Sequence, residues 1–150
     1  MKNVEIFSDG CCRGNPGPGG YGCILRYGEK EKELQGGKLK TTNNEMELMA
    51  ALIGIRALKG RCQVTVMSDS EYMVKGMTEW IHKWVENDWK TKSKTPVKNL
   101  SLWQELYDLS KKHKITWYWV KGHAGHPENE RCDRLANEAA EKVIRKSLGS

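Results

Sequence analysis

Val4-Glu5-Ile6-Phe7-Ser8-Asp9-Gly10 and, later in the chain, Gln63-Val64-Thr65-Val66-Met67-Ser68-Asp69-Ser70 are the two stretches on which the fold turns. Each is a short run rich in β-branched and apolar residues, as half-buried or buried strands require, and each stops on an aspartate followed by a turn-forming or capping residue. Between them lie two further strand patterns, residues 21–27 and, after Gly28, the charged run 29–35, whose alternating Glu and Lys suit a solvent-facing edge. The three N-terminal strands read as an antiparallel meander. The intervening Arg13-Gly14-Asn15-Pro16-Gly17-Pro18-Gly19-Gly20 reads as a tight loop, and its glycine amides as a possible cradle for phosphate.

Working outward, Thr41-Thr42-Asn43-Asn44 supplies capping side chains for a helix over 45–58 that stops at Gly60. After Asp69 the sequence predicts helix over 70–84, interrupted near Gly76 or Trp80, then a lysine-rich stretch containing Pro96 and a helix over 100–112. A strand over 115–120, a glycine-containing loop and a helix from Pro127 to about residue 145 complete the chain. This order predicts an α/β fold, a five-stranded mixed sheet of three antiparallel strands followed by parallel additions, with helices on both faces. Ligands of such sheets bind outside the carboxyl ends of the strands, which is where Asp9 and Asp69 stand. The topology therefore brings the two together.

The 150 residues suit one domain, hydrophobic residues make up 38%, and no apolar run approaches the roughly 20 residues of a membrane span. The N-terminus lacks a secretory pattern, so the expected compartment is the cytoplasm. Five cysteines without a CxxC suggest neither a disulfide framework nor a zinc site. A net charge of +6 is a modest attraction for polyanions.

Two helical carboxylates are out of place. Advancing about 100° per residue from Glu47 brings Ala51, Gly54 and Leu58 onto its face, the small and apolar side that meets the sheet, while Glu45 and Arg56 point away. Asp133 likewise shares a face with Ala136, Ala140 and Ile144. A strand-end aspartate is commonly a turn residue, and an acid near a helix start complements the helix dipole. Four such acids at one end of a sheet, however, are bearable only with protons or hard divalent cations, and ligands without His or Cys favour magnesium or manganese.

The segments IFSDGCCRGNPGPGGYG (6–22), TTNNEMELMAA (41–51), SDSEY (68–72), TEWIHKW (78–84), WKTKSKTPVKN (89–99) and WVKGHAGHPENERCDRLA (119–136) resemble ribonuclease H of the bacterial ribonuclease HI type, nearly colinearly from residue 4 to 140. The resemblance implies the ribonuclease H-like fold and a metal-dependent endoribonuclease. Such an enzyme cleaves the RNA strand of RNA/DNA hybrids, leaving 5′-phosphate and 3′-hydroxyl ends. It implies Asp9, Glu47, Asp69 and Asp133 as catalytic carboxylates holding two Mg²⁺ ions when substrate is bound, with Mn²⁺ as a substitute. Asp9 would bridge the ions and Glu47 would also meet the 2′-hydroxyl. His123, which on residues alone reads as a surface loop histidine, becomes a mobile proton shuttle.

The same resemblance assigns RNA-strand contacts to Cys12, Asn15, Asn43 and Glu71, and places Asn15, Thr42 and Asn44 near the DNA strand. Residues 80–100 would form a basic protrusion carrying Lys90, Lys92, Lys94 and Lys98. Of its tryptophans, Trp80 is expected near a deoxyribose, Trp84 either there or in packing, and Trp89 in packing; Lys121 is a candidate phosphate contact. The chain departs from the pattern at Val85-Glu86-Asn87-Asp88, where relatives often carry a basic cluster, at Glu71 in place of a frequent glutamine, and at Arg13 in the glycine loop. A monomer is expected. The competing readings are a catalytically silent hybrid-binding module, opposed by the intact acid set, and a DNA-acting relative of the same fold, opposed by the asparagines and the protrusion.

Overall fold

The computed structural model describes residues 1–121 and 126–149. Its sheet contains β1 (Lys2–Cys12), β2 (Gly17–Tyr27), β3 (Lys30–Thr41), β4 (Cys62–Ser68) and β5 (Lys114–Trp119), in the spatial order β3-β2-β1-β4-β5. β1, β2 and β3 pair antiparallel, and β4 joins β1 and β5 joins β4 in parallel. The helices are α1 (Asn43–Arg56), α2 (Glu71–Lys75), α3 (Ile81–Glu86), α4 (Leu100–Lys112) and α5 (Pro127–Gly149), with a π-helical turn, Gly76–Trp80, joining α2 to α3. The architecture is the five-stranded mixed sheet with helices on both faces that the pattern predicts.

The meander differs from expectation in one respect. Gly17, Pro18, Gly19 and Gly20 are not loop but the first residues of β2, and β1 runs on to Cys12, so that Cys11 pairs with Gly20 and Cys12 with Gly19. Two neighbours explain this: β2 lies between β1 and β3, and Gly19 and Gly20 also face Lys38 and Gly37 of β3. A ladder on both sides outweighs the weak strand preference of glycine. The suggested phosphate cradle loses Gly19 and Gly20 with it, because backbone engaged in the sheet on both sides is not free to meet an anion, and of its glycines Gly14 stays outside the strands. The α-helical pattern over 70–84 is interrupted where expected, between Gly76 and Trp80, without the chain leaving the helix. It passes into the π turn, where the ring of Trp103 lies so close that a Cβ on Gly76 would sit 2.1 Å from it.

The larger core lies under α1 and α4, built from Ile6, Leu48, Leu52, Ile55, Val64, Val66, Trp103 and Leu106. α1 is buried on nearly every side, being enclosed between the sheet and α4. Its cap is Thr42, whose hydroxyl accepts from Glu45 N at 3.1 Å. The opposite face is thinner. There Cys132, Ala136, Ala139 and Ala140 of α5 lie on Phe7, Ile24 and the glycines of β2, with so little space that a Cβ on Gly22 would stand 2.7 Å from the Cys132 carbonyl. α5 is thus seated against the sheet one residue before Asp133.

Candidate active site

Four elements deliver four carboxylates to one end of the sheet. Asp9 lies in β1, beside Gly22 of β2; Glu47 projects from the second turn of α1; Asp69 occupies the short link between β4 and α2; Asp133 lies near the start of α5. Gly10 makes the first pairing possible, since a Cβ there would stand 2.5 Å from the Glu47 amide nitrogen and no other residue type fits. Its N–H donates to Asp9 Oδ1 at 2.9 Å and also to Glu47 Oε1. Ligand oxygens of Asp9, Glu47 and Asp69 lie within 4.8 Å of one another.

Asp133 stands at the flank of this trio, near enough for its charge to act on Asp9. Its position is held by Asn137, whose Nδ2 donates to the Asp133 carbonyl at 2.9 Å and to Oδ1 at 3.3 Å, and by the neighbouring Cys132, whose thiol donates to the Phe7 carbonyl at 3.2 Å. Burial pushes Asp9 up to about 7, the Glu47 hydrogen bond opposes the rise, and the charges of Asp69 and Asp133 add to it. Glu47 is raised well above the carboxylate range, by burial first and by Asp9 second. Among the described residues no lysine or arginine forms an ion pair with any of the four.

A cluster of this kind holds protons or cations. Its donors are all carboxylate oxygens, and two of the acids are almost fully buried, at 8% exposure each for Asp9 and Glu47. The residues therefore suit a hard divalent cation of the magnesium or manganese type and suit zinc poorly.

Beside the cluster runs a groove of about 950 Å³ lined by Asn15, Thr42, Asn43, Asn44, Tyr72, Trp84, Thr91, Thr95, Pro96, Val97, Lys98 and Asn99. The Asn15 side chain accepts from the Asn43 backbone N–H at 2.9 Å and so ties the loop after β1 to the start of α1. Of the sequence-predicted substrate residues, Asn15, Thr42, Asn43, Asn44, Trp84 and Lys98 meet in this groove, while Cys12, Asn43, Asn44 and Glu71 line the carboxylate pocket. The Cys12 thiol donates to the carbonyls of Thr41 at 3.2 Å and Gly17 at 3.4 Å, and Glu71 pairs with Lys75 at 3.3 Å, which offsets its added charge.

Lys90, Lys92, Lys94 and Lys121 are exposed and line neither cavity. Trp80 is half-exposed with its ring edge-on to Tyr72, Trp84 packs against Trp103 with centroids 5.1 Å apart, and Trp89 packs against Tyr107. His123 lies outside the described residues.

Sequence reasoning missed Tyr72 and Asn99. Tyr72 lines both cavities, and its hydroxyl accepts from Asn99 Nδ2 and Trp103 Nε1, each at 3.2 Å. Asn99 precedes α4 in the left-handed region, φ 59°, and gives its amide to Tyr72 rather than to the helix end. An asparagine just before a helix was the available signal, but on its own it reads as a cap.

Comparison with known proteins agrees with the fold. The family model described as RNase H matches residues 1–141. The chain is 62% identical over 135 residues to the ribonuclease H of Bradyrhizobium sp. (strain ORS 278), covering 90% of this chain and 88% of that one. It is 56% identical over 149 residues to the ribonuclease H of Klebsiella pneumoniae (strain 342), covering 99% and 96%. Among solved structures it is similar to LC9-RNase H1, a type 1 RNase H with the type 2 active-site motif, at a TM-score of 0.86 and 35% identity over 95% of this chain and 74% of that one.

Proposed function

Because the chain belongs to the ribonuclease H family, we propose that it is a metal-dependent endoribonuclease that hydrolyses the RNA strand of RNA/DNA hybrids. One observation carries the reading: acids from three separate elements, two of them buried, present oxygens within 4.8 Å of one another without a cationic partner among the described residues. Such an arrangement destabilises the fold unless it takes up protons or cations, and an all-carboxylate donor set points to cations as its use. Asp9, Glu47, Asp69 and Asp133 are the residues that would hold divalent ions, Mg²⁺ in the first place and two of them with substrate bound. When bound, those ions would relieve charge on the phosphate and activate water for attack.

The protein's own contribution is placement. Asp9, buried between Glu47 and the charges of Asp69 and Asp133, is the acid that can serve neighbours on either side. The Gly10 amide hydrogen-bonds both Asp9 and Glu47, which keeps their oxygens turned into the pocket instead of toward the helix. Asn43 and Asn44 lie on the wall shared by the pocket and the groove, and Lys98 supplies positive charge on the groove's far side.

Amides and hydroxyls there can bind sugar and phosphate groups of a duplex whose two strands differ chemically at the 2′-hydroxyl. Residues 80–100 would act as the basic protrusion of a single catalytic domain, with Lys90, Lys92 and Lys94 attracting phosphates through solvent. His123, Cys12, Glu71, Trp80 and Lys121 retain the roles the family resemblance implies. The free cysteines and the absence of a membrane-spanning helix among the described residues are compatible with the proposed cytoplasmic setting.

The direct test is an end-labelled RNA/DNA hybrid, RNA duplex and DNA duplex of one sequence, each incubated with magnesium or with chelator. Internal cuts confined to the RNA strand of the hybrid and dependent on magnesium are expected. Hybrid binding without cleavage would favour the silent module, and cutting of the DNA duplex would overturn the substrate assignment.

A further inference from the structure

Three of the four carboxylates have an evident local support. Asp9 and Glu47 share the Gly10 amide, and Asp133 has Asn137. The carboxylate of Asp69 accepts no hydrogen bond from a side chain among the described residues, and its residue sits in a two-residue link between β4 and α2. The link is restrained through its backbone. Ser68 is the last residue of β4, and its carbonyl accepts from Val120 N at 2.9 Å; Ser70 caps α2, its hydroxyl accepting from Met73 N at 3.1 Å.

That cap has a consequence for Asp69. The first carbonyl α2 uses is that of Ser70, which accepts from Val74 N at 3.1 Å, and the Met73 N–H, which has no acceptor within the helix, is taken by Ser70 Oγ. The Asp69 carbonyl therefore falls between the sheet ladder and the helix, and it is filled from outside by Trp119 Nε1 at 3.1 Å. Trp119 pairs with Ser68 across β4 and β5, so its backbone is locked in register with the strand that ends one residue before Asp69. Its indole is 47% exposed and is absent from both hydrophobic clusters. A large aromatic ring half in water whose one polar atom is spent on this carbonyl is poorly explained by packing.

We propose that Trp119 is a positioning residue that clamps the Asp69 carbonyl and thereby fixes the direction of the Asp69 carboxylate toward Asp9 and Glu47. The inference rests on the reading of Asp69 as a metal ligand. Without the clamp the peptide joining Asp69 to Ser70 is held only by its N–H, which donates to Ser68 Oγ at 3.0 Å, and can pivot about that single bond, which turns the carboxylate away from its two partners. Groups that orient metal ligands typically contribute 10- to 100-fold to metal affinity. The effect should therefore appear in metal binding before it appears in hybrid binding.

The test is W119F, which keeps an aromatic ring and loses the N–H, measured by calorimetry with Mn²⁺ on the free protein. Mn²⁺ affinity is expected to fall roughly tenfold, at the low end of what such orienting groups contribute. The magnesium concentration for half-maximal cleavage should rise in step, while the KM for hybrid and the melting temperature of the metal-free protein stay at their parent values. A folded W119F with parental Mn²⁺ affinity overturns the proposal, as does a loss of affinity matched by an equal loss of stability.

If W119F fails to fold, the indole proton of Trp119 in the parent protein decides. It should be protected from exchange and move as Mg²⁺ is added, and an unprotected proton that ignores Mg²⁺ overturns the proposal. A parent protein that binds Mn²⁺ but leaves hybrids uncut would defeat the activity reading alone, since the calorimetric comparison is unaffected by it.

Discussion

The carboxylate pocket and the groove beside it share a wall, Asn43, Asn44 and Tyr72, yet they solve opposite electrostatic problems. The pocket gathers negative charge where burial makes it costly, and the groove is lined by amides, hydroxyls, one lysine and the apolar Trp84, Pro96 and Val97, with no acid among its residues. Neutral hydrogen-bonding groups are satisfied by water until a ligand arrives, so the groove can stand ready at little cost. Buried carboxylates cannot wait in the same way. The pocket is therefore the part of the molecule whose stability depends on occupancy and pH, and the groove is the part whose behaviour depends on salt.

The contrast is broken most directly at Asp9. Asp9→Asn is expected to reduce hybrid cleavage by roughly 10³-fold or more while hybrid affinity stays near parental, because the groove is untouched. Cleavage kinetics beside a binding titration check both halves, and a large loss of affinity would mean that the two regions are not separable.

A second substitution attacks the pocket from behind. Gly22→Ala places a methyl group against the Cys132 carbonyl and the Leu135 side chain, which forces α5 away from the sheet and carries Asp133 with it. A stability loss of about 1–3 kcal/mol by chemical denaturation is expected. Activity should fall further than the unfolded fraction accounts for.

The pocket also has a sign that pH can read. Asp9 titrates near 7 in the folded, metal-free protein and near its ordinary value when unfolded. The unfolded chain therefore releases its proton first as pH rises, and the stabilising contribution of the protonated acid is lost between about pH 4 and pH 7. Metal-free stability should decline across that window, magnesium should restore it, and Asp9→Asn should flatten the decline and make the metal-free protein more stable at pH 8. A pH-independent melting temperature would refute the argument.

His113 provides a control remote from both regions, since its Nδ1 accepts from the Cys62 N–H at 3.1 Å and burial lowers its pKa. Its stabilising contribution is present in full above about pH 6.5 and is lost as pH falls below that value through the lowered folded pKa, the reverse of Asp9. Histidine-to-glutamine substitution at 113 should remove that acid-side slope.

The groove calls for the smallest test. Lys92→Ala with Lys94→Ala should leave cleavage at saturating hybrid unchanged. It should lower the slope of log affinity against log salt by up to about 2, the share of two phosphate contacts. An unchanged slope would place those exposed lysines outside the bound duplex.

Much of the pocket was legible in advance because it breaks local rules. Glu47 on an apolar helix face and Asp9 and Asp69 closing apolar runs announce themselves in the periodicity, although β1 itself continues past Asp9 to Cys12, and the parallel order of β1 and β4 follows from the connecting helix. The groove was less legible. Asn15, Thr42 and Asn43 read equally well as turn and cap residues, and Asn15 and Thr42 do serve such roles here while also lining the groove.

The sequence by itself determined the elements, their order and the acids that had to be explained, since periodicity and misplaced charge are local properties of the chain. Tertiary structure decided three other things. It turned Gly17 to Gly20 into strand, because partners on both sides outweigh an unfavourable propensity. It brought Asp133 within electrostatic reach of Asp9, because small residues let α5 approach the glycines of β2. It also joined Trp119 to Asp69 across parallel strands. Each depends on which residues lie opposite one another in space, a distance that no spacing along the chain encodes.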